Sequence, residues 1–545
     1  EIPQGDWSSD VCSSDLAVLT QYTWIPWCCA VVAFFCSFGI GANDVANAFA
    51  TSVGSGALTL KSAIIIAAVM EFLGAFLLGG NVAAKIMEDI TNAELYADMP
   101  EVLMFGMMCV LISVAAWLIL ATIYGLPVST THSCIGGLVG MAVVSKGMKA
   151  VKWKQVGLVA LSWIVSPVTS AILSTIIFVL VRKYILRNRE SLKQAFRVYP
   201  IIVAFTLALN IFLVLYKSKS LNLNMSVWLV AAICVVVGVA LGLVLQFTFI
   251  PYVKRKIARE AAATTSEITV NDVKVNIEMA DVPVELPVTI QTTHADTESA
   301  PEKPTETTEA TEATEATETT ETTETTEVEK EVAALKADLT TRQNIHAELE
   351  DEKSKVYQMH KNAESFDPST EKLFTYLQII TAVFNSFAHG ANDVANAIGP
   401  FAFCLQLYQT GNVYESTTVT MGPLVLGGFG IIVGLACLGY KVMAAIGVNM
   451  VKVTPSRGFC IEIGSALVVI IGSTIGLPLS TTHCKVGSTV GVGLVEGKNG
   501  VNWSLLYGVF AGWIVTLFVC AISTGLIFAF AVYSPRIPPD RKSVV

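Results

Sequence analysis

Long apolar runs separated by short polar loops dominate the chain. Runs of roughly 20 residues, long enough to cross a bilayer as helix, begin near Trp24, Ser62, Val102, Pro127, Val156, Tyr199 and Val227. They resume near Leu373, Met421, Phe459, Pro478 and Ser504. The pattern predicts an all-α integral membrane protein with about twelve membrane segments, seven before and five after a polar stretch at 252–372. Gly, Pro and polar residues interrupt several runs, which predicts broken or re-entrant helices lining a cavity.

Composition changes this picture only in the polar stretch. The 545 residues carry a net charge of −9, but 252–372 alone sums to −14 and the rest to +5, so the acidic balance belongs to the insert. Its tract TETTEATEATEATETTETTETTE at 305–327 has too little apolar surface to fold alone. The following Glu-, Lys- and Ala-rich residues at 328–361 predict a charged helix or short coiled coil. Lys and Arg in the short loops favour both termini outside and the insert in the cytosol, with the run from Lys146 to Lys154 dissenting. The 12 cysteines show no CxxC or zinc-type spacing and read as packing residues. DWSSDVCSSDL at 6–16 and DRKSVV at 540–545 resemble translated sequencing adapter, so 1–16 and 540–545 are set aside. The body then divides into 17–251, a first repeat with two linking segments, and 373–535, a second repeat.

The division rests on a duplication. SFGIGANDVANAFA from Ser37 returns as SFAHGANDVANAIGPFA from Ser386, 349 residues on, and GLPVSTTHSCIGG from Gly125 returns as GLPLSTTHCKVG from Gly476, 351 residues on. Seven segments separate the starts of the copies, and an odd number inverts the second in the membrane, with a ligand site expected at the repeat interface.

Four acids lie inside apolar runs: Asp44, Asp393, Glu71 and Glu462. A carboxylate at that depth costs several kcal/mol unless paired, protonated or coordinating a cation. Lys61 and Arg457 sit at segment edges and Lys485 just past the second STTH, so cation binding or protonation is the expected role. In each GANDVANA copy, Gly41, Asn43, Asp44 and Asn47, or Gly390, Asn392, Asp393 and Asn396, combine a helix breaker with oxygen ligands suited to Na⁺ at an unwound helix end. A small-residue packing face is the competing reading. Pro127 and Pro478 suit the first turn of a helix. Ser129, Thr130 and Thr131, with Ser480, Thr481 and Thr482, then place hydroxyls and free N–H groups where a small tetrahedral anion would bind. His132, His389 and His483 lie in or beside these motifs and read as structural; His389 faces Ile40 in the repeat alignment. The sequence has no Walker, GxSxG, HExxH or nucleic-acid motif, so no residues carry an enzyme reading.

With GANDVANA and GLP[VL]STTH each present twice, the chain resembles the PiT inorganic phosphate transporter family, over roughly 24–252 and 373–533. The resemblance implies import of inorganic phosphate by sodium symport, extracellular termini, a plasma-membrane location, no cofactor and no nucleic-acid partner. It implies roles in cation coupling for Asp44 and Asp393, matches Glu71 and Glu462 to the family's intramembrane glutamates, and matches Ser129 and Ser480 to serines that handle phosphate. The expected phosphate set is therefore Asn43, Ser129, Thr130, Thr131, Asn392, Ser480, Thr481 and Thr482. The expected cation set is Asp44, Asn47, Asp393, Asn396, Glu71 and Glu462, with sodium at Asp44 and Asp393. Proton coupling, an inverted-repeat cation exchanger and a phosphate-sensing receptor signalling through the insert stay open as alternatives, as does a homo-oligomer.

Overall fold

The computed structural model describes residues 20–78, 90–217, 226–267, 269–270, 273–274, 344–414, 419–474 and 479–534. The adapter-like ends, the Thr/Glu tract and Pro478 lie outside them. Apart from an antiparallel pair of two-residue strands, Thr269–Val270 with Val273–Lys274, the regular structure described is helical. In the first half these are α1 (Trp24–Ile40), α2 (Ala46–Gly54), α3 (Leu60–Leu78), α4 (Pro100–Ile123), α5 (Thr130–Lys146), α6 (Trp153–Val181), α7 (Ser191–Lys217) and α8 (Val227–Glu267). Then come α9 (Lys355–Asn362), α10 (Pro368–Thr410), α11 (Met421–Ala444), α12 (Pro455–Thr474), α13 (Thr481–Leu494) and α14 (Trp503–Tyr533). Among the described residues, seven stretches are long and apolar enough to cross a membrane, the longest being Trp153–Leu186. Ile164, Ile172, Phe518, Leu526 and Phe530 are each more than half exposed on α6 and α14, as surface meeting hydrocarbon should be.

The helices that open at the STTH motifs are too short to span. With 17 and 14 residues, α5 and α13 rise roughly 25 and 21 Å against a hydrocarbon core of about 30 Å. Each begins at the serine of its STTH motif: Ser129 Oγ accepts from the His132 N–H at 3.3 Å, and Ser480 Oγ from the His483 N–H at 3.4 Å. Such caps satisfy one of the free N–H groups at a helix start.

Glycines seat both short helices on the opposite half of the chain. A Cβ at Gly136 or Gly140 of α5 would stand 2.6 or 2.0 Å from the carbonyl oxygens of Leu517 and Ala521 on α14. On α13, one at Gly487 or Gly491 would stand 2.3 or 2.4 Å from those of Pro167 and Ala171 on α6. Small residues four apart let helix backbones touch, which drives association in a membrane. These contacts are mates, since every partner lies 350 or 351 residues from its counterpart. The duplication thus reaches the packing as well as the motifs. The turns that follow repeat too: Gly147 and Gly497 both adopt left-handed φ, +81° and +88°, before Trp153 and Trp503.

The GANDVANA segments depart from the expected unwound helix ends. In the first copy Gly41–Val45 forms a π-helical turn joining α1 to α2, and the second copy runs uninterrupted inside α10. Their glycines serve close approach. A Cβ at Gly41 would stand 1.9 Å from the Ile431 carbonyl oxygen, and one at Gly390 would stand 2.2 Å from that of Glu71. A π-helical turn inside a helix is a distortion found often at functional sites.

Glu1–Leu245 and Ile345–Val545 together form one contact unit and Gln246–Asn344 the other. Residues 345–367 act as a strap. His360 lies 2.9 Å from the Val448 carbonyl, and Lys452 donates to the Ala363 carbonyl at 3.4 Å. The Glu364 carboxylate accepts from Arg182 at 2.5 Å and from Arg187 at 2.8 Å, while Arg457 donates to the Glu364 carbonyl at 2.8 Å and to Glu496 at 2.7 Å. Arg457, expected at a segment edge, is 1% exposed and lies over the rings of Phe178 and Phe366. Burial raises the Glu364 carboxyl pKa, but Arg187 and Arg182 outweigh it and hold the group below the ordinary carboxylate value. Glu496 is likewise held low, with Arg457 outweighing burial.

Two predictions follow from this packing. Gly41→Ala and Gly390→Ala each force a methyl into a backbone carbonyl and should cost about 1–3 kcal/mol or more, lowering the melting midpoint in detergent, whereas Gly157→Ala, with nothing within 4 Å, should not. Because the folded-state pKa values of Glu364 and Glu496 are depressed, their contribution is complete above the ordinary carboxylate range and is lost as pH falls through the lowered values. Limited proteolysis within 345–367 should therefore stay slow at neutral pH and rise in acid, and Glu364→Gln should be cut quickly at both.

Candidate functional site

Asp44 and Asn47 reach the centre of the body from the π-helical turn and α2, Asp393 and Asn396 from α10, and the threonines from the starts of α5 and α13. Asp44 is 2% exposed and Asp393 1%. Asp44 accepts from Thr482 at 2.6 Å on one oxygen and from Thr130 at 2.7 Å on the other. The two asparagines act reciprocally: Asn47 donates to Thr482 at 3.1 Å and to Asp44 at 3.2 Å, and Asn396 donates to Thr131 at 3.4 Å and to Asp393 at 3.3 Å. Asn396 also reaches Thr130 at 3.1 Å. Each helix start is therefore tied to the asparagine of the other copy.

An aromatic column crosses the same junction. The rings of His132 and His483 lie 4.8 Å apart, with Trp163 5.5 Å beyond the first and Trp513 3.8 Å beyond the second. Trp513 anchors its end by donating to the Pro127 carbonyl at 3.0 Å. The two histidines thus hold the paired helix starts in register.

The remaining acids break the symmetry. His389 lies 2.9 Å from Asp393, 3.3 Å from Glu71 and 3.7 Å from Asp44, and Ser386 donates to Glu71 at 3.0 Å. One ligand atom each from Asp44, His389 and Asp393 falls within 4.8 Å of the others, close enough to hold one ion. In the mate positions stand Ile40 and Ile431, both fully buried. The glycine contacts make Ile431 the counterpart of Glu71, whereas the motif offset alone points near Gly422. Glu462, 0% exposed on α12, accepts from Thr51 at 2.7 Å, from Ser52 at 2.9 Å and from Thr381.

Asn43 spends its amide on the turn before α5, donating to Thr122 at 3.0 Å and the Leu126 carbonyl at 2.9 Å and accepting from the Val128 N–H at 2.9 Å. It positions the first STTH motif instead of joining the central cluster. The Asn392 side chain lies outside the described residues. Ser129 and Ser480 are brought in as caps, and Thr481 lines a cavity of about 70 Å³ together with Asn47, His389, Ser465 and Lys485. Lys485, which the sequence places just past the second STTH without a site role, is 5% exposed. The signal for such a role was its place four residues after Thr481, one helical turn along the same face.

A model of the phosphate transporter family matches residues 40–524. The chain belongs to that family. The transporter is 30% identical to sodium-dependent phosphate transporter 1 of Mus musculus, across 92% of this chain and 94% of the mouse protein. It is 30% identical to the phosphate-repressible phosphate permease pho-4 of Neurospora crassa, across 95% and 99% of the two chains. A sodium-dependent phosphate transporter of Plasmodium falciparum is 31% identical across 94% and 98%. A solved structure titled the sodium-dependent phosphate transporter superposes with a TM-score of 0.65 at 27% identity, covering 94% of this chain and 100% of that one.

Removing the Asn43 amide leaves the Val128 N–H and the Leu126 carbonyl without their partners. Asn43→Ala in the transporter should lose about 1–3 kcal/mol of stability, read as a lower melting midpoint. The same loss is expected with or without phosphate present.

Proposed function

We propose that the transporter imports inorganic phosphate by sodium symport, with the site at the interface of the two motif copies. The observation that carries this reading is the convergence of two capped helix starts, rich in hydroxyls, on two buried aspartates. Ser129, Thr130, Thr131, Ser480, Thr481 and Thr482 with the adjoining N–H groups receive the oxyanion, and Asn392 keeps its place in that set. Sodium is held at Asp44 and Asp393 with Asn47 and Asn396, and Glu71 and Glu462 support coupling.

A hydroxyl has one hydrogen to give. Thr130 and Thr482 donate to Asp44, and the same protons serve a phosphate oxygen only if something else satisfies the carboxylate. A sodium ion at Asp44 does so, which links cation binding to anion binding without direct contact between aspartate and phosphate. The sodium-dependent names of relatives at 30–31% identity support the same cation.

The reciprocal glycine and asparagine contacts support an inverted repeat of about twelve segments, in which the halves rock around the central site. The distribution of Lys and Arg supports termini outside and the insert in the cytosol, in a plasma membrane. His389, set among three carboxylates, favours proton coupling as the second reading.

Uptake of radiolabelled phosphate with sodium replaced by choline, across a pH series, separates the two. Sodium coupling predicts collapse in choline at every pH, and proton coupling predicts recovery as pH falls. Asp44→Asn and Asp393→Asn should each lower sodium-dependent uptake at least about tenfold at wild-type surface abundance. Unchanged uptake in both would sink the cation assignment.

A further inference from the structure

Lys485 is the feature that the symport scheme leaves unused. It lies on α13 inside the body, 5% exposed, and its Nζ has no hydrogen-bond partner among the described residues. An ammonium carries three donors and no acceptor, and leaving it buried without a partner is expensive. Its nearest candidate counter-ion, Glu462, already receives Thr51, Ser52 and Thr381. Glu462 attracts Lys485 electrostatically but does not use up its donors. The ammonium lines the same cavity of about 70 Å³ as Thr481 and Asn47, and that volume exceeds what one water needs.

The repeat sharpens the point. The residue corresponding to Lys485 in the first copy is Cys134, which is fully buried on α5. Packing alone is thus served by a small apolar side chain at this register of the short helix. The same cavity is lined by the Thr481 hydroxyl, the Asn47 amide and His389, which in turn contacts the carboxylates Asp44 and Asp393.

We propose that Lys485 is a direct anion ligand: its ammonium binds the transported oxyanion in the cavity beside Thr481, and this fixed charge makes the second half the one that selects the anion. The proposal rests on the phosphate-transport reading and adds a specificity-determining residue to it. A fixed cation at this point takes a small, charged oxyanion and supplies attraction that does not depend on sodium. Sodium at the aspartates and Lys485 at the cavity then both attract the same anion.

Steady-state uptake in cells expressing Lys485→Gln, Lys485→Arg and the double variant Lys485→Gln/Glu462→Gln tests this, with surface abundance measured in parallel. The expected result for Lys485→Gln is a rise of about tenfold or more in phosphate KM, the scale of one charged hydrogen bond, with the half-saturating sodium concentration measured at saturating phosphate unchanged. Lys485→Arg should recover part of the affinity, and the double variant should keep the raised KM. An unchanged phosphate KM, or a double variant restored to wild type, would overturn the proposal and leave Lys485 as charge balance for Glu462. If Lys485→Gln does not reach the surface, the purified wild type and Lys485→Arg are compared for the thermal shift given by inorganic phosphate in choline medium. A smaller shift in the Arg variant supports the proposal, and equal shifts overturn it. That binding readout also separates the two ideas: a wild type that transports no phosphate with sodium defeats the transport reading, while the shift still decides whether Lys485 holds the anion.

Discussion

Four carboxylates buried in an apolar body must each be given donors, and much of the architecture answers that demand. An unsolvated carboxylate is tolerated in hydrocarbon surroundings only when hydrogen bonds or counter-charges replace its water. The donors come across the duplication. Glu71 of the first half takes Ser386 and His389 of the second, Glu462 of the second takes Thr51 and Ser52 of the first, and Asp44 bridges Thr130 and Thr482. Asp393 is served within its own half by His389 and Asn396, but the other three acids each draw donors from both halves or from the opposite one, so the polar centre and the assembled fold form together.

The apolar contacts obey the same reciprocity. α5 lies on α14 and α13 on α6 through paired glycines, and the GANDVANA helices press their glycines against backbone from the third helix of one half and α11 of the other. In a membrane, where burial of apolar surface gives no net drive, close backbone approach and interhelical hydrogen bonds carry the association. The serine and threonine hydroxyls add to this: Ser170 and Thr175 of α6 donate to the Cys484 and Gly491 carbonyls of α13 at 2.8 and 2.7 Å.

The duplicated motifs and the four buried acids were legible in the sequence because a charge inside an apolar run has few innocent explanations. The helical course through GANDVANA was not, since a glycine that breaks a helix and one that admits a neighbour look alike until the neighbour is known. An amide beside a functional aspartate suggests a ligand, and Asn43's three bonds to residues 122–128 add a bracing role that the sequence does not show. Lys485 and Arg457 escaped because a basic residue near a segment end ordinarily extends its tip to water. The strap at 345–367 overlaps a stretch read as a charged helix, but its docking was not legible because its partners Arg182, Arg187 and Arg457 are distant in sequence.

The unlike mates have an energetic consequence. Two identical halves that trade roles would leave an empty carrier equally content facing either way, like a balanced seesaw. Here the second half carries His389 and Lys485 where the first offers Ile40 and Cys134, and the first carries Glu71 where the second offers Ile431. If the halves rock as proposed, these groups meet different surroundings in the two orientations and the seesaw is weighted, with each 1.4 kcal/mol of weight about a tenfold preference. Cargo must tip that balance on loading and surrender it on release, which gives the transport cycle a direction of rest.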